Sequence, residues 1–230
     1  TSIHEEGVLI DNFQMVENGI LREKETLELL ALGPYPCRNP AQNIADLEAQ
    51  IAANSTGIHE VMKMIELFGL SVVQAYMQHV QDNAEESVRR VLGRLTSGEF
   101  VYPMDNGCKI EVSIDVNKEA REAIIDFTGT SPQYEGNYNA PSAVCLAAVL
   151  YVFRCLVGDE IPLNEGCLKP LKVIIPPKSI ISPEYPAAVI AGNTEVSQGV
   201  TDALFGALGV LASSQGTVNN FVYGNDKYQN

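Results

Sequence analysis

At Gly98 the spacing of apolar residues changes, and that change limits what the 230-residue chain can become. Before it, Ile44, Leu47, Ile51, Ile58, Met62, Ile65 and Phe68 recur at helical intervals. Gly69 interrupts them, and Val73, Tyr76, Val80, Ala84, Val88, Val91 and Leu95 draw a second stripe. After Gly98 the period is two. Ile110, Val112, Ile114 and Val116 alternate with Lys109, Glu111, Ser113 and Asp115, as in a strand with one wet face. An Asn106-Gly107 turn joins Glu99–Pro103 to Cys108–Val116, and Ala123–Phe127 extends the pair to a meander. Segregated helical and antiparallel segments predict an α+β fold. The expected division is a mainly helical region, 1–97, and a mixed region, 98–230. The first holds a long helical hairpin, or one bent rod, over 40–97.

Earlier in the chain, an Asn18-Gly19 turn precedes a helical run from Glu23 to Leu32, which Gly33-Pro34-Tyr35-Pro36 ends. Later segments alternate polar loops with regular elements. The apolar run from Ala143 to Phe153 predicts a buried helix over 142–157 and is too short for a bilayer, which needs ~20 residues. Strands are expected at Leu171–Ile175 and Ala187–Ala191. A last helix carries Val200, Ala203, Leu204, Ala207, Leu208 and Leu211. Phe221–Asn230 reads as an end without a terminal helix, and the chain as a piece of a longer polypeptide.

Composition sets the chemistry aside that this chain does not carry. Fifteen basic against 29 acidic residues give a net charge of −14, which repels phosphate backbones and anionic lipid surfaces. No nucleic-acid or membrane partner is therefore expected. Five widely spaced cysteines include no CxxC pair, which suits a reducing cytoplasm, with Cys145 and Cys155 as small buried hydrophobes. No GxxxxGK[ST] loop is present. The three histidines form no metal-binding pattern, so no metal site within the chain is expected. His4 beside Glu5 and Glu6 leaves two readings open: part of a site completed elsewhere, or plain polar surface.

Three Asn/Gly loops are the candidates for function: Gly136-Asn-Tyr-Asn-Ala-Pro141, Leu163-Asn-Glu-Gly166 and Gly192-Asn-Thr-Glu-Val-Ser-Gln198. Two precede helices, whose first N–H groups and dipole favour an anion or a developing oxyanion. Asn193 is the expected cap of the last helix, with Glu195 in its first turn.

Several stretches in colinear order resemble the hydantoinase B/oxoprolinase family. They are Thr1-Ser-Ile-His-Glu-Glu-Gly7, Leu47–Asn54, Asp126-Phe-Thr-Gly129 with Asn139-Ala-Pro141, Ile161–Cys167 and Gly192–Gln198. Val73–Val88 resembles the 5-oxoprolinase branch in particular. The resemblance implies ATP-dependent opening of a cyclic amide, either 5-oxoproline or a hydantoin. It implies that an A-type subunit or domain binds ATP, that the B-type part opens the ring, and that the whole is an oligomer. Any divalent metal would be held by a His/Asp segment outside this sequence. Within that chemistry Glu195 is the expected general base and Asn193 marks the helix start that receives the oxyanion. Asn137, Asn139, Asn164 and Gln198 are the expected substrate contacts. The rival readings are a non-catalytic module that docks an A-type subunit through its helices, and part of a related ATP-dependent ketone carboxylase.

Overall fold

The computed structural model describes residues 2–212 of the chain; the segment 221–230 lies outside the described residues. The chain is α+β. It divides into two compact units, Thr1–Val80 and a second beginning at Gln81.

In the first unit, Asn18 (φ 50) and Gly19 (φ 80) form a tight turn between β1 (Val16–Glu17) and β2 (Ile20–Leu21). Helix α1 (Glu23–Leu30) follows, and its buried Thr26 donates its hydroxyl back to Arg22 O at 2.7 Å. Helix α2 (Pro40–Phe68) begins as its sequence demands: Asn39 Oδ1 accepts from Gln42 N, and Pro40 fills the first position, where no N–H is needed. Gly69, at φ 86, alone separates α2 from α3 (Leu70–Leu92). The apolar stripe on these helices is mostly uncovered. Of α2 only Ile44 is buried, while Ile58, Met62, Phe68, Leu70 and Tyr76 are exposed.

The second unit is built on a sheet with the order β3-β4-β5-β6. Strands β3 (Gly98–Pro103), β4 (Lys109–Asn117) and β5 (Glu122–Asp126) form the expected meander. At the β3–β4 turn only Gly107 has positive φ, and Gly107 N donates to Met104 O. The turn therefore bulges at the glycine, and only Gly107 of the Asn-Gly pair is left-handed, where the tighter form needs both. Strand β6 (Leu171–Ile174) joins β5 in parallel, pairing Ala123 with Leu171 and Asp126 with Ile174.

One face of the sheet is covered by α5 (Ser197–Leu208), against which α4 (Ser142–Val157) packs. Small residues permit the close approach. A Cβ on Gly98 would lie 2.1 Å from Ala207 O, and one on Gly206 would strike the Phe100 ring. Ala84, Val88 and Leu92, from the later part of α3, complete this core. Helix α4 is only half-buried, contrary to the expectation from its composition. Cys145, Val149, Val152 and Phe153 face inward; Leu146, Tyr151 and Cys155 face outward. Cys155 is thus not a core residue, because it falls on the solvent side of the helix. Burial pushes the Cys145 thiol up to about 12, consistent with an inert packing role.

The segment Ala187–Ala191 is not a strand. Its polar backbone groups are taken locally and across the loop: Ala187 N donates to Glu184 O, and Ala191 N to Asn137 O. Of this apolar run only Ala188 is buried, and Ile190 is exposed.

Candidate functional site

Two of the three Asn/Gly loops meet. Loop 136–141 follows β5 and loop 188–192 follows β6, so parallel pairing delivers both to the same end of the sheet. There, Ala191 N donates to Asn137 O at 3.0 Å. Gly192 lies flat against the neighbouring strand of chain: a Cβ placed on it would be 2.0 Å from Asn139 O. Asn139 is the fastener. Its Oδ1 accepts from Tyr134 N at 2.7 Å, and its Nδ2 donates to Tyr134 O, Gly136 O and Ala188 O at 3.0, 3.1 and 2.8 Å. Fully buried and hydrogen-bonded at both ends, it holds the loops together and presents no edge to a ligand.

Asn164 stands elsewhere. Its loop precedes β6, at the end where Ala123 N donates to Pro170 O, roughly 13 Å along the strand from the other two loops. Its Oδ1 accepts from Gly166 N at 2.8 Å, and its Nδ2 donates to Pro162 O at 3.2 Å, so it caps its own turn. Gly166 packs on Gln81 O of α3. Asn164 is therefore a local cap, placed at the opposite end of β6 from Asn137.

Helix α5 does not start with the expected cap. Residues Gly192–Val196 form a π-helical turn that runs into it, and Asn193 lies inside that turn with no side-chain capping bond. The amides of Gly192, Thr194 and Glu195 already donate, the first to Val189 O and the other two to Ala191 O. Free backbone donors at this helix start are correspondingly fewer than a simple N-terminus supplies. What remains toward solvent are the exposed Asn193, half-buried Glu195 and half-buried Gln198. The side-chain amide of Asn137, also half-buried, makes no hydrogen bond among the described residues.

Beside this turn lies a cleft of about 300 Å³, lined by Tyr151, Ser197, Gln198, Thr201, Asp202 and Phe205 among others. None of its described lining residues is basic. Gln198 Nε2 donates to Asp202 Oδ1 at 3.3 Å. Tyr102, which packs on Gly199 from β3, is linked electrostatically to the same group. Burial first, then the charges of Asp202, Asp105 and Glu195, push its phenol up. In the β3–β4 turn, Asn106 Nδ2 is buried and has no hydrogen-bond partner among the described residues, while Asn106 Oδ1 accepts from Cys108 N.

Sequence reasoning missed Asp202, Tyr102 and Asp105. The signal for Asp202 was present: a single charge in an otherwise apolar helix, one turn after Gln198. Among the described residues, no group of three His, Cys, Asp or Glu side chains is arranged to hold a metal. No helix among them is long and apolar enough to cross a membrane.

The hydantoinase B/oxoprolinase family description matches residues 1–230. The chain belongs to the hydantoinase B/oxoprolinase family. It is 41% identical over 251 residues to 5-oxoprolinase 1 of Arabidopsis thaliana, covering 99% of this chain and 20% of that protein. The family member thus spans about a fifth of that curated relative's length. Its fold is that of a segment of the ATP-dependent caprolactamase from Pseudomonas jessenii, with a TM-score of 0.70 at 21% identity. That match covers 88% of this chain and 36% of the caprolactamase. An acetone carboxylase structure matches at a TM-score of 0.69 and 13% identity, over 84% of this chain and 28% of that one.

Proposed function

We propose that this chain is the ring-opening part of an ATP-dependent cyclic amide hydrolase acting on 5-oxoproline or a hydantoin. The observation that carries the reading is the meeting of two Asn/Gly loops, through Asn139 and Gly192, beside a carboxylate-bearing cleft in a member of this family. The cleft itself does not fit ATP. A triphosphate needs cations or an open cradle of amides, and here stand Asp202 in the wall and, in the adjoining turn, amides already engaged. ATP is accordingly assigned to an A-type domain or subunit.

In the ring-opening step, Glu195 takes a proton from water as the water oxygen bonds to the ring carbonyl carbon. The C–N bond then breaks, and the proton passes to the departing nitrogen. The carbonyl oxygen gains negative charge on the way, and the side-chain amides of Asn193 and Asn137 are the donors assigned to it. Gln198, at the cleft edge, reads the ring amide. Supplying the full-length protein with ATP and, separately, 5-oxoproline, a hydantoin, or a ketone with bicarbonate tests the reading. The expected product is a ring-opened amino acid. Carboxylation of the ketone without ring opening would replace the reading with the carboxylase one.

A docking role accompanies this chemistry, favoured by the exposed apolar side chains Ile58, Met62, Phe68, Leu70 and Tyr76. Patches of this kind mark interaction surfaces. Mixing the chain with an A-type partner and sizing the mixture is expected to give a joint species. Changing Met62 and Phe68 to Ser should abolish it, and a joint species that survives both changes removes the stripe from the interface.

A further inference from the structure

Three arginines stand at the end of α3, and the fold uses them unequally. Arg89 is fully engaged: it donates to Glu85, to Glu122 and to the carbonyls of Ala120 and Arg121. Arg90 donates through Nε alone, to Glu86 Oε1 at 3.4 Å. The same oxygen is held more closely by Arg121, at 2.8 Å. The Arg94 side chain makes no hydrogen bond or ion pair among the described residues. In a chain with 29 acidic and 15 basic residues, guanidinium N–H groups left this open are unexpected.

Arg90 and Arg94, four residues apart, line a hollow of about 310 Å³. Its floor is aliphatic, with Val91 and Leu95 from the α3 side and Leu156 and Val157 from the last turn of α4. Leu95 is buried and the other three are half-buried. Cations at the C-terminal ends of helices complement the dipole, which accounts for arginines here but not for an apolar hollow beneath them. Ligand sites combine such an apolar floor with a few convergent polar groups, and this one has the size of the smaller among them. Guanidinium groups only donate, in a fork that matches a carboxylate or a phosphate. Asp159 stands on the same rim and pairs with neither arginine among the described residues; its Oδ1 accepts from Glu160 N at 2.8 Å. Its charge, with the negative ends of α3 and α4, opposes a doubly charged phosphate ester and leaves room for one negative charge.

We propose that this hollow is a second ligand site, which takes a small monocarboxylic acid with an apolar body. Arg94 and Arg90 hold the carboxylate, and Val91, Leu95, Leu156 and Val157 cover the body. The site shares no described lining residue with the cleft beside α5, and it stands whether or not that cleft opens rings.

The test titrates the full-length protein with 4-phenylbutyrate, 4-phenylbutyramide and 3-phenylpropyl phosphate, read by saturation-transfer NMR. The acid is expected to bind with a Kd of about 1 mM, as suits a ligand of this size. The amide, which offers the arginines only a neutral acceptor, should bind at least about tenfold more weakly. Arg94→Gln, at an exposed position, should weaken the acid about tenfold and leave the amide unchanged. Leu156→Asp should abolish binding of the acid by placing a like charge in the floor. Absence of saturable binding by the acid overturns the proposal, as does equal binding of acid and amide. An affinity for the acid that survives Arg94→Gln places the ligand elsewhere and is equally fatal. Tighter binding of the phosphate ester than of the acid overturns the assignment to a single carboxylate.

Discussion

Glu195→Gln in the full-length protein is expected to abolish ring opening while leaving the fold intact. Glutamine keeps the shape of the side chain and removes its basicity, so what is lost is proton abstraction from water, an effect of about 10²–10⁴-fold. Glu195 is half-buried in the π-helical turn, where its backbone N–H is held by Ala191 O, so the position tolerates an isosteric change. Ring-opened product formed from 5-oxoproline and ATP is the measurement. A second readout does not depend on turnover. The Glu195 carboxylate is among the charges that hold the Tyr102 phenol up, after burial, Asp202 and Asp105. Removing a nearby negative charge makes the phenolate easier to form, so Tyr102 should titrate at lower pH in the variant. A variant with the shifted tyrosine and undiminished turnover would take Glu195 out of the mechanism.

The second large effect is on the scaffold. In Gly192→Ala the new methyl would sit 2.0 Å from Asn139 O and 2.7 Å from Ala140 Cα, both backbone atoms that cannot swing aside. The two loops must part. With them goes the Asn139 network, which ties Tyr134 and Gly136 to Ala188. Overpacking combined with unmet buried hydrogen bonds costs about 3 kcal/mol. In hydrogen exchange on the full-length protein, amides of 134–140 and 188–195 should open about 100-fold more readily. Gly57→Ala is the contrast, because a Cβ there meets nothing within 4 Å and lies in the middle of α2. It should leave those amides unchanged and slightly strengthen its helix. Equal exchange in Gly192→Ala and the native protein would mean that the loops are not fastened at this glycine.

Periodicity carried the sequence reading as far as local patterning can. The 3.6-residue stripe found α2 and α3, and the two-residue alternation found β3, β4 and β5. It failed where a residue's surroundings come from distant chain. In the run 187–191, Ala188 is buried against loop 136–141 and does not pair in a sheet, while Ile190 is exposed. The outward faces of Tyr151 and Cys155 follow from where α5 lies under α4, and no count of apolar residues contains that. Three asparagine loops looked alike in sequence. Asn139 became an internal fastener, Asn164 a local cap, and Asn137 kept an unengaged amide, a difference set by the parallel pairing of β5 with β6. Asp202 was legible as the one charged residue of its helix, and its burial follows from packing that local patterning does not contain.

The widened turn at Gly192–Val196 has a consequence for how this cleft tolerates insertion and deletion. A π-turn accommodates one residue more than an α-turn would, and so acts as a phase shifter between two rigid bodies. Taking one residue out of it would let α5 continue as ordinary helix with its core face undisturbed. The loop bound to Asn137 would keep nearly the same bearing toward α5, because the wide turn already takes up the extra residue. This short segment can thus lose one residue without turning one wall of the cleft away from the other.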